Sequence, residues 1–158
     1  MNGVLSQPDF LDQVNDRASS SLHPTLSPDG TMLVFCSDRT GGEGGTDLWI
    51  STFSNGQWNI PINAGTELNS NANEITPCFL GNDSLLFASN GFGGKGGYDL
   101  YITIRKAGEW LPPTPLLHLN SVFDESDPCV LPDGRIIFAS NRNGKNRTLY
   151  LAPPVSIE

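Results

Sequence analysis

The sequence predicts an all-β protein assembled from repeated four-stranded units. Two observations carry that prediction. Seventeen Gly and twelve Pro break a 158-residue chain into short apolar runs, and no stretch keeps apolar residues at i, i+3, i+4 and i+7. The chain also repeats itself: His23-Pro24-Thr25-Leu26 returns as Thr76-Pro77-Cys78-Phe79 and as Asp127-Pro128-Cys129-Val130, so the prolines are 53 and 51 positions apart. A period near 50 with several strands per repeat marks a blade architecture.

Each element of the unit follows in order. The segment after the Pro is the first strand. Ser27-Pro28-Asp29-Gly30 then makes a tight turn, in which Pro presets φ and Gly accepts a positive φ. The second strand is the apolar run through MLVFCSDR (32–39), LLFASNG (85–91) and IIFASNR (136–142). A glycine loop follows in two copies, Gly41–Asp47 and Gly93–Asp99, and is shortened in the third. The third strand carries Asp-Leu-Trp (47–49), Asp-Leu-Tyr (99–101) and Thr-Leu-Tyr (148–150). A polar turn leads to a fourth, Trp-containing strand at Trp58 and Trp110, and Leu-Asn-Ser (68–70 and 119–121) ends the unit. Four antiparallel strands in about 50 residues form one blade of a β-propeller.

The third copy stops after its third strand. The N-terminal segment Val4-Leu5-Ser6-Gln7-Pro8, followed by Val14-Asn15, matches a fourth strand and its trailing loop. The expected organisation is a single propeller module over 1–158, with blades at about 21–70, 71–121 and 122–151. The N-terminal strand at about 4–15 completes the last blade. Three blades fall short of the four to eight of a closed ring, so a homodimer closing a six-bladed ring is the expected assembly. A piece of a longer protein is the alternative.

Composition narrows the partners. Nine basic and seventeen acidic residues give a net charge of −8, which disfavours nucleic acid. The weak basic cluster Arg142–Arg147 reads as a solvated turn. No apolar run approaches the ~18 residues of a spanning helix, so no membrane insertion is expected. Cys36, Cys78 and Cys129 form neither a disulfide framework nor a CxxC pattern. The N-terminus lacks a secretory pattern, which gives a cytoplasmic default, or an envelope location if a signal was trimmed.

Ser-Pro-Asp-Gly, the Phe-x-Ser-Asp-Arg strand end and Gly-Gly-x-Gly-Gly-x-Asp-Leu-Trp together resemble the TolB-like Pro-Asp repeat propellers over residues ~20–151. The second copy departs at Gly81-Asn82-Asp83, and the third lacks the glycine loop. The resemblance implies a propeller fold and a protein-binding or envelope-associated scaffold. Such repeats often accompany OmpA-like domains in bacterial envelope proteins.

Candidate site residues lie in the loops. Glycine N–H groups can form anion-binding nests, and Asp47, Asp99, Glu74 and Glu125 can ligate a cation such as Ca²⁺. Against this, each Asp caps its own turn, a role that recurrence in two blades favours. Arg39 and Arg142 can grip a carboxylate with their forked guanidinium. Asp38, Asn90 and Asn141 recur after the second strand, where a side-chain oxygen binds loop backbone. His23 and His118 show no metal spacing, and GxSxG is absent. The expected function is a non-catalytic binding or scaffold module that takes a protein, peptide or envelope component on its loop face. No obligatory cofactor is expected. Alternatives are a small-ligand or cation site with hydrolase- or lactonase-like activity in the channel, and a purely architectural oligomer.

Overall fold

A computed structural model describes residues 7–155 of the chain. The described residues form thirteen strands in three antiparallel sheets and contain no helix. The first sheet holds β1 (Ser21–Leu26), β2 (Met32–Ser37), β3 (Asp47–Ser54), β4 (Gln57–Trp58) and β5 (Ile62–Asn63). The second holds β6 (Glu74–Gly81), β7 (Ser84–Ser89), β8 (Asp99–Lys106), β9 (Glu109–Trp110) and β10 (Thr114–Pro115). The third holds β11 (Glu125–Val130), β12 (Ile136–Ser140) and β13 (Thr148–Ala152). The all-β propeller-type architecture read from the repeat is therefore present, with each sheet standing as one blade.

The register repeats with the sequence. Phe35 faces Trp49, Phe87 faces Tyr101 and Phe138 faces Tyr150 across the second and third strands. The innermost strands β1, β6 and β11 each carry a bulge at the residue before the repeated Pro. There His23, Thr76 and Asp127 take φ of 51°, 51° and 55°. A left-handed conformation at a non-glycine residue costs about 1–2 kcal/mol, so three copies require a supporting surround. Part of it crosses between blades: the Asp127 N–H donates to Thr76 Oγ1 at 3.1 Å and the Phe79 N–H to Thr25 Oγ1 at 3.4 Å.

The fourth strand differs from a single continuous edge. It divides into a hairpin piece holding Trp58 or Trp110 and a second piece (β5 or β10) that pairs back onto β3 or β8. Pro61 and the Pro112-Pro113 pair sit between the pieces, and a residue without an N–H interrupts a ladder.

The core lies in the seams between blades. Val34, Cys36 and Leu48 of the first blade pack with Leu85, Phe87 and Tyr101 of the second. Leu100 and Ala88 of the second pack with Phe138 and Ala152 of the third. Of the expected N-terminal strand, residues 4–6 lie outside the described residues. Residues 12–14 form a turn, and Val14 is buried against Leu33, Phe35 and Trp49.

Candidate functional site

The repeated polar residues converge on the loop end of each blade, where they hold chain to chain. Glu74 is fully buried. Its carboxylate accepts from the Ser70 N–H at 2.9 Å, Ser70 Oγ at 2.7 Å and Ser89 Oγ at 2.5 Å. Glu125 repeats the pattern with the Ser121 N–H (2.7 Å), Ser121 Oγ (2.6 Å) and Ser140 Oγ (2.7 Å). Burial pushes the Glu74 carboxyl above its ordinary range, against the lowering effect of its serine partners.

The second blade differs from the third in its cation. Arg142 Nη2 lies 3.0 Å from Glu125 Oε1 and also donates to the Leu119 carbonyl. Its guanidinium covers the rings of Phe138 and Tyr150 at 5.3 and 4.8 Å. Arg39 does the same over Phe35 and Trp49 at 4.8 and 5.1 Å, donating to the Val14 carbonyl and to Ser21 Oγ. In the second blade Gly91 takes the Arg position, and Phe92 fills the space edge-on to Phe87 and Tyr101 at 6.3 and 5.4 Å. Glu74 therefore has no Arg beside it, unlike Glu125.

Asp47 and Asp99 fold back into their own glycine loops. Asp47 accepts from the Glu43 and Gly44 N–H groups at 3.1 and 3.4 Å, and Asp99 from the Gly96 N–H at 2.9 Å. The loops then dock on the next blade. Asn73 Oδ1 accepts the Thr46 N–H at 3.1 Å and Asp124 Oδ1 the Tyr98 N–H at 3.1 Å. The Glu74 N–H donates to the Thr46 carbonyl and the Glu125 N–H to the Tyr98 carbonyl, both at 2.7 Å.

This docking explains glycines that turn chemistry alone does not. A Cβ on Gly96 would run into the Phe123 carbonyl, and one on Gly44 would lie 2.7 Å from the Ala72 nitrogen. Close backbone approach, visible only once blades are neighbours, is what these two positions require.

Two further devices repeat. The residue after the second strand binds the entry to its own blade: Asp38 accepts the Ser20 N–H (2.8 Å), Asn90 the Asn73 N–H (2.9 Å) and Asn141 the Asp124 N–H (2.9 Å). The Asn of Leu-Asn-Ser clamps a leucine on the third strand. Asn69 Oδ1 accepts the Leu48 N–H at 2.7 Å while its Nδ2 donates to the Leu48 carbonyl at 3.0 Å. Asn120 does the same to Leu100 at 2.8 and 2.9 Å. Sequence spacing marks Leu-Asn-Ser as recurrent, but not as this two-handed clamp.

Arg147, of the weak basic cluster, lies 3.5 Å from Asp124 and 3.7 Å from Asp127, and donates to Ser126 Oγ. Among the described residues no group of three or more His, Cys, Asp or Glu side chains is placed to hold a metal ion. The sequence-selected residues Arg39, Glu74, Glu125, Arg142, Asp47 and Asp99 are thus spread over three blades rather than gathered in one cavity.

A cleft of about 390 Å³ opens at the second glycine loop, and none of those six residues lines it. The second glycine loop (Gly93–Lys95), Phe92 and Tyr101 form one wall, and Pro112, Pro113 and Leu117 form another, with Thr66 and Glu67 at the edge. Lys95 Nζ is anchored by the Leu117 and Asn120 carbonyls at 2.6 and 3.2 Å. Leu117, Val122 and Phe123 remain exposed on the same loop end. The spacing of the repeat did not single out these apolar residues, because they fall in its variable connections.

No protein-family model and no curated protein matches this sequence. Solved structures do. TolB from Acinetobacter baumannii superposes with a TM-score of 0.59 at 15% identity, over 82% of this chain and 29% of that one. A puromycin-hydrolyzing peptidase from Mycobacterium tuberculosis superposes with a TM-score of 0.59 at 18% identity, over 85% of this chain and 20% of that one. The chain therefore spans less than a third of either neighbour's length. At these identities the likeness is one of fold, and it agrees with the sheet topology on a propeller-type architecture.

Proposed function

We propose that the chain is a binding module that takes a protein or peptide segment on the loop end of its blades. The observation that carries this reading is the cleft between Phe92, Lys95, Pro112, Pro113 and Leu117, with Leu117 exposed at its lip. Its volume falls in the range of ligand sites, and its lining is mostly apolar with a few polar groups at the edge. Prolines and aromatic rings lose little freedom on contact, which favours capture of an extended segment. The side chains best suited to chemistry, Glu74, Glu125, Asp47 and Asp99, are engaged by neighbouring hydroxyls and backbone, which supports a scaffold role for them. Hydrolysis is the activity of the peptidase neighbour and does not come with the fold.

Panning a random peptide library on the purified protein tests the reading. Selected peptides should bind the wild-type chain, and Leu117→Asp should weaken them at least tenfold with the circular dichroism spectrum unchanged. Failure to select any peptide, or peptides indifferent to Leu117→Asp and to Glu67→Lys, overturns it.

A further inference from the structure

Among the described residues the third blade ends on an uncovered strand. Leu149 and Leu151 on β13 occupy the register positions of Leu48 and Ile50 on β3 and of Leu100 and Ile102 on β8. The four equivalents are 0–9% exposed, whereas Leu149 is 75% and Leu151 56% exposed. Two things cover a third strand elsewhere: the next blade's Phe, and the Asn clamp that precedes that blade. Leu48 packs with Phe87 and is clamped by Asn69, while Leu100 packs with Phe138 and is clamped by Asn120. No described residue does either for Leu149.

The opposite flank of the chain carries the missing clamp. The Val14 and Asn15 N–H groups donate to the Leu11 carbonyl at 3.0 and 2.9 Å. Leu68 and Asn69 bond the Gly65 carbonyl in the same way at 3.1 and 2.9 Å, and Leu119 and Asn120 bond the Leu116 carbonyl at 2.8 and 2.9 Å. Residues 11–15 therefore hold the clamp turn already formed. Val14 is seated in its blade as Leu68 is, and its carbonyl receives Arg39 as the Leu119 carbonyl receives Arg142. The Asn15 side chain is half-buried and engages no leucine backbone among the described residues. Phe35, at the position of Phe87 and Phe138, is already covered within its own chain by Val14 and Arg39. Leu11, at the turn position of Leu116, is 43% exposed, and Phe10 beside it is 53% exposed.

We infer that a second copy of this chain covers β13, its Asn15 clamping the Leu149 N–H and carbonyl and its Leu11 packing on Leu149 and Leu151 as Leu116 packs on Leu100 and Ile102. The clamp turn and the bare leucine lie on the first and third of three successive blades, so the described residues of one copy do not join them to each other. For the 158 residues taken by themselves, two copies joined at both seams give six blades, within the four to eight of closed propellers, and three copies give nine. A twofold pair makes both seams alike and leaves no third strand exposed. This inference is independent of the loop-end cleft, since the seam buries the flanks of the blades and not their loops.

Light scattering on the 158-residue chain at tens of micromolar tests it. The expected mass is twice the 17.0 kDa of one chain. Leu149→Glu should shift that mass to a single copy with β circular dichroism retained. The milder Asn15→Ala should raise the dissociation constant of the pair at least tenfold. A wild-type mass of one copy overturns the inference, as does a mass above two copies. A pair indifferent to both substitutions overturns it too. Peptide binding by a single copy would leave the loop-end reading standing while sinking this one.

Discussion

Replacing Asn120 with Ala isolates the device on which the blade seams depend. Asn120 is 6% exposed, accepts the Leu100 N–H at 2.8 Å and donates to the Leu100 carbonyl at 2.9 Å. The carbonyl keeps a second donor, the Leu116 N–H at 2.9 Å, so its loss is partial. The Leu100 N–H loses its acceptor within a fully buried residue. Two lost bonds at about 1 kcal/mol each, one of them leaving an orphaned buried donor, put the cost at about 2–4 kcal/mol. For a chain of this size that is a fall of about 6–12 °C in the melting midpoint. Urea denaturation followed by tryptophan fluorescence, at one fixed protein concentration, measures the change. Asn69→Ala should match it, with an extra loss from the 3.0 Å bond to Asn63 Oδ1. A drop below about 1 kcal/mol in both variants, with unchanged denaturant slope, would refute the reasoning.

Three other perturbations follow from the same geometry. Arg142→Ala removes the partner of fully buried Glu125 and uncovers Phe138 and Tyr150, so it should cost about 2–4 kcal/mol by urea denaturation. Gly96→Ala should cost about 1–3 kcal/mol, because its Cβ meets the Phe123 carbonyl, while Gly56→Ala meets no neighbour and is opposed only by its φ of 80°. The buried Glu74 carboxyl is held above its ordinary value, so the native state binds the proton more tightly than the unfolded one. Its contribution is therefore fully present below the unfolded pKa of about 4.3 and is lost as pH rises through the raised native value. Subtracting the pH–stability curve of Glu74→Gln from that of the wild type should show this loss, and a difference that grows with pH would contradict it.

Much of the blade is legible in the sequence because the repeat supplies its own controls. Pro24, Pro77 and Pro128 fix the inner strands, and Phe35, Phe87 and Phe138 fix the second strands. Positions that change type between copies were harder to read. Gly91 looks like a lost Arg, and only the placement of Phe92 over Phe87 and Tyr101 shows that an aromatic ring fills the vacated space. Glu74 and Glu125 are visible as recurrent carboxylates, but their enclosure depends on serines 4 and 15 residues away on different segments. The roles of Gly44 and Gly96 depend on the neighbouring blade, which no local pattern encodes. The cleft leaves no mark in the repeat for a different reason. Its wall residues Pro112, Pro113 and Leu117 belong to a connection whose length varies between blades, ten positions from Trp58 to Leu68 and nine from Trp110 to Leu119.

Hydrogen exchange at three equivalent backbone amides tests most directly whether one clamp secures every seam. Leu48 and Leu100 donate to Asn69 and Asn120 and should exchange slowly, at rates near those of the strand centres. The Leu149 amide should be equally slow at high protein concentration and become fast on dilution, while Leu48 and Leu100 stay protected. A Leu149 amide that exchanges freely at every concentration would contradict it.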